Sequence, residues 1–117
     1  MSSPKPHFTV AKRAGDYIFV SGQLPFDENM QIAGVGIEAQ TRLVIDHIAR
    51  ALESVDSSLD KVVKNMVWLT DAADFPLFNA TYAEYFPENP PARATVGSTL
   101  MVPGALIEIE ATAYHPL

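Results

Sequence analysis

The chain contains no cysteine among its 117 residues. This absence excludes a disulfide framework, a thiolate nucleophile and any metal site built on cysteine, and it suits a reducing compartment. The chain also lacks an apolar run of membrane-spanning length, and residues 1–6 lack the hydrophobic segment of a secretory signal. We therefore expect a soluble, cytoplasmic protein with no membrane partner. A chain of this length buries roughly two-thirds of its unfolded surface on folding, which predicts a single domain over residues 1–117.

Basic residues are few. The chain has 8 lysines and arginines and 14 aspartates and glutamates, which gives a formal net charge of −6. Such a protein repels phosphate backbones and its basic residues form no extended patch, so we expect no nucleic-acid partner. The sequence also lacks a glycine-rich phosphate loop. Its histidines are scattered, with no second ligand at metal-binding spacing: His7, His47 and His115. We predict neither a metal nor a cofactor.

Apolar patterning predicts secondary structure in the order two or three strands, helix, strand, helix and two strands. A run of aromatic and β-branched residues at 17–20 predicts a strand that ends in a turn at Ser21 and Gly22. Val10 is a candidate for a partner strand before it. The later elements are expected at 36–55, 62–69, 93–101 and 106–114, and the second and third of these are separated by a segment that carries aromatic residues at 75, 78, 82 and 86.

Two of these segments are predicted to be helices. Between 36 and 55 the apolar residues recur at spacings of three, four and seven, which indicates an amphipathic helix. The second helix carries aromatic residues at spacings of three and four, is expected to be capped by Asp71 or Asp74, and ends before the prolines at 90 and 91. This order of elements predicts an α+β fold with both helices packed on one sheet face.

The last two strands carry the candidate functional side chains. Side chains alternate across a strand, so Arg93 and Thr95 share one face of the first of them. In the final strand isoleucines and alanines form one apolar face, which leaves Glu108 and Glu110 side by side on the other. From pattern alone we favour a solvated surface for these two carboxylates. They become functional candidates if another subunit covers that face, because burial raises the proton affinity of a carboxylate.

Six segments, in chain order, carry a more specific signal. They are SGQLP at 21–25, AQTR at 39–42, DKVVK at 60–64, FNATYAEYF at 78–86, PARATV at 91–96 and LIEIEA at 106–111. Together they resemble the RidA/YjgF family of reactive enamine/imine deaminases, over nearly the whole chain from Phe8 to Ala113. The Pro-Ala-Arg and Ile-Glu-Ala motifs are specific to that family when they occur together.

The resemblance implies an architecture. It is a chorismate-mutase-like, YjgF-type α+β fold in which a mixed sheet carries two helices on one face. Three copies are expected to associate into a homotrimer whose sheets form an inner barrel. A ligand cleft is then expected at each subunit interface.

The resemblance also implies a set of site residues. Arg93 falls on the arginine that grips the substrate carboxylate, and Glu108 falls on the glutamate that orients water. Ser21 and Asn79 match a serine and an asparagine near the cleft. Two further substrate-binding positions depart from the family pattern. Phe8 stands where many members have a tyrosine, and Thr95 stands where some have a cysteine.

We expect hydrolytic deamination of reactive 2-imino or enamine carboxylic acids to 2-oxo acids and ammonia, with no cofactor. The partner would be a small carboxylate-bearing imine or a 2-oxo acid. An alternative remains open, in which the trimer binds small carboxylate metabolites without turnover, as a sensor, carrier or chaperone-like protein. Ribonuclease activity has also been attached to this family, but the acidic balance of this chain argues against it.

Overall fold

A computed structural model of the protein describes residues 6–117. The described elements are five strands and two α-helices, with two short 3₁₀ turns between them. In chain order they are β1 Ala11–Ala14, β2 Tyr17–Gln23, α1 Gly36–Glu53, β3 Val62–Leu69, α2 Phe75–Tyr85, β4 Ala92–Gly97 and β5 Ile107–Tyr114. The predicted order of strands and helices is therefore confirmed.

The five strands form one mixed sheet in the order β1-β2-β5-β3-β4. The final strand β5 lies at the centre and pairs antiparallel with both β2 and β3. Strand β4 lies at the edge and pairs parallel with β3, in a register that sets Arg93 opposite Asn65. In the antiparallel ladder on the other side of β3, Glu108 lies opposite Trp68.

Both helices cover the same face of this sheet, as the sequence predicts. The inward-facing residues of β2 and β5 are almost fully buried and alternate with exposed ones, which is the period of a strand with one covered face. They form one apolar core with the buried stripe of α1 and with aromatic residues of α2. The largest fully buried side chain of that core is Phe78.

Three predicted boundaries are wrong, for identifiable reasons. β2 does not end at Ser21 and Gly22 but runs to Gln23, because a shift in register after Val20 accommodates these two residues within the strand. β4 ends at Gly97 rather than at 101, because its partner β3 ends at Leu69 and offers no further pairs. Helix α1 ends at Glu53 rather than at 55, because the chain turns at Asp56, whose φ angle is 63°, and the Ser57 amide donates back to the Leu52 carbonyl oxygen.

Two smaller expectations concern the start of the sheet and the cap of α2. Val10 lies just before β1, and its carbonyl oxygen accepts a hydrogen bond from the Ser21 amide at 2.9 Å. Asp71 supplies the capping carboxylate, which accepts from the Ala73 amide at 2.9 Å in the turn before α2. Asp74 makes no side-chain capping bond.

The other sheet face, which we call the open face, is covered by neither helix. Its side chains come from β2, β3, β4 and β5 and share one side by strand register: Phe19, Met66, Trp68, Val96, Glu108, Glu110 and Thr112. Several of them are large, apolar and partly exposed; Phe19, for example, is 48% exposed. No helix within residues 6–117 has the length and apolar character needed to cross a membrane.

Candidate functional site

Arg93 is held in place by residues of α2. Its Nη1 donates a hydrogen bond to the side-chain oxygen of Asn79 at 2.9 Å. Its guanidinium carbon lies 4.8 Å from the ring centroid of Tyr82, 5.3 Å from that of Phe78 and 5.6 Å from that of Phe75. A cation at these distances is attracted by the negative faces of the rings. One hydrogen bond and three aromatic rings therefore orient the guanidinium.

The charge of Arg93 is not paired within the described part of the chain. The salt bridges found among residues 6–117 join Arg42 to Glu38 and Glu84, and Lys61 to Asp60. None of them involves Arg93. An oriented guanidinium that keeps free N–H donors can bind a ligand carboxylate through two parallel hydrogen bonds.

Behind Arg93 lies a buried polar pair that is not among the predicted site residues. Asn65 is 1% exposed, and its side-chain nitrogen donates to the Tyr82 hydroxyl at 2.8 Å. Burial raises the pKa of Tyr82, while the Asn65 hydrogen bond and the Arg93 charge oppose that rise. The sequence contains a signal for this buried residue. Side chains alternate along a strand, and Asn65 is the one polar residue on the side of β3 that also carries inward-facing Val67 and Leu69.

Thr95 follows Arg93 on the same face of β4, opposite buried Val67. Its hydroxyl oxygen is buried and has no hydrogen-bond partner among residues 6–117. Buried hydroxyl groups in proteins usually have a partner. Together Arg93, Asn79 and Thr95 form what we call the Arg93 half-site.

Glu108 lies on the open face in the centre of the sheet and is half-buried, whereas its neighbour Glu110 is exposed. Burial raises the pKa of the Glu108 carboxyl, and the negative charge of Glu110 raises it further. Gly22 of β2 lies directly against this carboxylate. A Cβ atom at position 22 would collide with Oε2 of Glu108, so the absence of a side chain there makes room for the carboxylate.

Ser21 and Phe8 lie beside Gly22. The Ser21 hydroxyl donates to the Thr9 carbonyl oxygen at 2.6 Å, which ties the N-terminal segment to β2. Phe8 is 56% exposed and lines one surface cavity together with Ser21 and a second one together with Gly22. We call Glu108, Gly22, Ser21 and Phe8 the Glu108 half-site.

The two half-sites do not meet within one chain. Arg93 projects from the sheet face that packs against α2, whereas Glu108 projects from the open face. Strand β3 lies between β4 and β5, which places the two residues about 10 Å apart across the sheet at ordinary strand spacing. Their partners on β3 are three residues apart, which adds about 10 Å along the strand direction. A small molecule cannot contact both residues of the same chain.

The described residues contain no cluster of three histidine, aspartate or glutamate side chains that could hold a metal ion. Glu110, Asp27 and Lys12 lie nearby. The charged groups of the half-sites themselves are the guanidinium of Arg93 and the carboxylate of Glu108. These groups can bind an anion on one side and exchange a proton on the other.

Comparison with known sequences identifies the relatives of this chain. The sequence profile of the family described as Endoribonuclease L-PSP matches residues 2–115. The 3-aminoacrylate deaminase RutC of Acinetobacter baylyi is 44% identical over 112 residues, which cover 95% of this chain and 89% of that protein.

Solved structures share the fold. RidA from the Antarctic bacterium Psychrobacter sp. matches with a TM-score of 0.88 and 34% identity, over 96% of this chain and 91% of that one. A member of the YjgF/YER057c/UK114 family from Mycobacterium tuberculosis matches with a TM-score of 0.82 and 30% identity, over 92% and 86% of the two chains. The mixed five-stranded sheet with its two helices is therefore a YjgF-type α+β fold, and the chain belongs to the Endoribonuclease L-PSP family, also known as the RidA/YjgF/RutC family.

Proposed function

We propose that this protein hydrolyses 2-imino or enamine carboxylic acids to 2-oxo acids and ammonia. The observation that carries the proposal is the guanidinium of Arg93, which is oriented by Asn79 and three aromatic rings but has no carboxylate partner in the described chain. Such a group is suited to a carboxylate-bearing substrate. The deaminase named among the relatives, at 44% identity, supports the same class of reaction.

The separation of the two half-sites supports a cleft formed by two subunits. Because Arg93 and Glu108 lie on opposite sheet faces, both can reach one substrate only if they come from different copies of the chain. The open face also carries partly exposed aromatic and apolar residues, which monomeric proteins rarely gather on one surface. We propose a homotrimer in which sheets face an inner barrel and each interface contains one cleft.

In this cleft Arg93 of one subunit holds the substrate carboxylate, and the adjacent C=N carbon faces Glu108 of another subunit. Glu108 accepts a proton from a water molecule as the water oxygen bonds to that carbon and the π electron pair moves to nitrogen. The resulting carbinolamine carries both a hydroxyl and an amino group. To form that amino group, Glu108 passes the proton of the water to the nitrogen. Glu108 then takes the hydroxyl proton as the C=O bond forms and the C–N bond breaks, and it gives this proton to the departing nitrogen, which leaves as ammonia. The products are a 2-oxo acid and ammonia, and no cofactor takes part.

The remaining residues have supporting roles in this proposal. Asn79 orients the guanidinium, and Thr95 lies beside Arg93 on the same face of β4. Ser21 fixes the segment that carries Phe8 against β2. Phe8 supplies an apolar wall without the hydroxyl group of a tyrosine.

The direct test is to supply a freshly generated imine, 2-iminopropanoate, and to follow ammonia and pyruvate release above the spontaneous rate. We expect acceleration by the purified protein without added metal. The rival function is a trimer that binds small carboxylates without turnover. If the protein binds pyruvate but leaves the spontaneous rate of imine hydrolysis unchanged, the rival explanation holds and the deaminase proposal is wrong.

Replacing Gly22 by alanine tests the place given to Glu108. The added Cβ meets only the flexible end of the Glu108 side chain, so the carboxylate is displaced at little cost to folding. Because a displacement of about 1 Å in a catalytic group can cost about 100-fold, we expect turnover to fall by about 10- to 100-fold. The melting temperature serves as the measure of folding, and Gly97→Ala, whose Cβ meets nothing closer than 3.9 Å, is the matched glycine control for stability. Full turnover in Gly22→Ala would contradict the role of Glu108.

Replacing Glu110 by glutamine tests the electrostatics of the same site. Glu108 must be deprotonated to act as a base, so kcat/KM falls as the pH drops through its pKa, which burial and the charge of Glu110 hold above the ordinary value. Removing that charge lowers the pKa of Glu108, and the acidic limb of kcat/KM moves to lower pH. Glu88→Gln, in the exposed loop after α2, makes the same change in net charge and is the control. If both variants keep the wild-type limb, Glu108 is not the titrating base.

A further inference from the structure

A surface cavity of about 430 Å³ adjoins the Glu108 half-site. Its lining is mainly apolar and includes the side chains of Phe8, Val10, Leu24, Phe26 and Met30, with Gly22 as a shared wall. The volume falls in the range of roughly 300 to 1,000 Å³ in which proteins bind small molecules. Gly22, whose missing side chain makes room for the Glu108 carboxylate, links the cavity to the Glu108 half-site, although Glu108 itself does not line the cavity.

Met30 at the edge of this cavity is in an unusual conformation. Its φ angle is 59°, in the left-handed region that favours glycine or asparagine, and its side chain is 60% exposed. The turn that holds it is built by Asp27, whose carboxylate accepts hydrogen bonds from the amides of Asn29 and Gln31 at 2.8 and 3.0 Å. A long apolar side chain in a strained and exposed position runs against local preference, and such residues concentrate at functional sites.

We propose that this cavity receives the side chain of the 2-imino acid, so that the preferred substrates carry apolar side chains larger than methyl. The inference rests on the proposed function. Phe8 and Gly22 belong both to the Glu108 half-site and to the cavity lining, so a substrate whose imine carbon faces Glu108 can extend past them to the apolar lining. Asp27 is one of the lining residues, and its negative charge disfavours acidic side chains. Met30 is then a specificity-determining residue.

The test compares kcat/KM for two imines generated in place from alanine and leucine, namely 2-iminopropanoate and 2-imino-4-methylpentanoate. One methylene in an apolar pocket changes kcat/KM by ~10- to 200-fold, so we expect the leucine-derived imine to be favoured by at least ~10-fold. Met30→Gly removes the side chain and relieves the left-handed strain, and it should move the ratio of the two values towards one while the melting temperature is kept or raised. Met30→Asn also suits this backbone conformation but carries a polar side chain, and it should lower the ratio as well.

Asp56→Gly is the matched control. Asp56 also has a positive φ angle, 63°, and lies outside the cavity, so its replacement should leave the ratio unchanged. If 2-iminopropanoate is hydrolysed but the wild-type ratio is near one, or if both Met30 variants keep the wild-type ratio, the inference about the cavity is wrong and the proposed function stands. If neither imine is hydrolysed above the spontaneous rate, the proposed function fails and the inference fails with it.

Discussion

Replacing Arg93 by lysine is expected to reduce imine turnover by about 100-fold or more while the protein remains folded. Lysine keeps the positive charge but has no planar fork, so it cannot hold a carboxylate through two parallel hydrogen bonds. It also loses the bond to Asn79 and the stacking over Tyr82 that orient the guanidinium. Because orientation matters most in the transition state, kcat should fall far more than affinity.

The measurement is kcat and KM for 2-iminopropanoate, with pyruvate binding followed separately. Arg42→Lys is the matched control, because Arg42 lies on the exposed surface of α1 and makes ion pairs with Glu38 and Glu84. That control should keep wild-type kinetics. An Arg93→Lys protein that hydrolyses the imine at the wild-type rate would show that Arg93 does not orient the substrate.

Replacing Glu108 by glutamine is expected to reduce kcat by ~100- to 10,000-fold, the usual contribution of a general acid–base group. Glutamine has nearly the same shape, but its amide cannot accept and return the proton of the attacking water. Since Arg93 is untouched, pyruvate should still bind. The two variants should therefore have different effects. Arg93→Lys disturbs the orientation of the substrate carboxylate, whereas Glu108→Gln disturbs only the proton transfer.

The control for this change is Glu110→Gln, measured well above the acidic limb of the pH profile. Glu110 shares the strand and the open face with Glu108 but is exposed, so its variant should keep turnover there. Equal losses in both variants would indicate a general effect of charge on the open face. In that case Glu108 would not be the specific proton acceptor.

Much of the fold follows from periodicity in the sequence. The alternation of β5 correctly separates its apolar face from Glu108 and Glu110, because a strand buried on one side has a period of two. The ends of the strands are less predictable. β4 looks extended up to 101, but a strand needs a partner, and β3 ends at Leu69. No local pattern in β4 reports that β3, which is distant in the sequence, stops at Leu69.

The site is harder to predict than the fold. Arg93 and Glu108 stood out through family motifs, but alternation within each strand says nothing about which faces of different strands coincide. Their location on opposite sheet faces depends on the register of β4 and β5 against β3, which is a tertiary property. The contact of Gly22 with Glu108 depends on the shift in register within β2, at residues whose sequence predicts a turn.

The central claim is that each reaction site takes Arg93 from one subunit and Glu108 from another. It is tested most directly by co-expressing Arg93→Ala and Glu108→Gln chains with different tags and purifying oligomers that carry both. In a closed ring of three, such an oligomer has one cleft with both native residues, so about one-third of wild-type turnover should return although each parent alone is nearly inactive. Mixed trimers that are as inactive as their parents would contradict the claim.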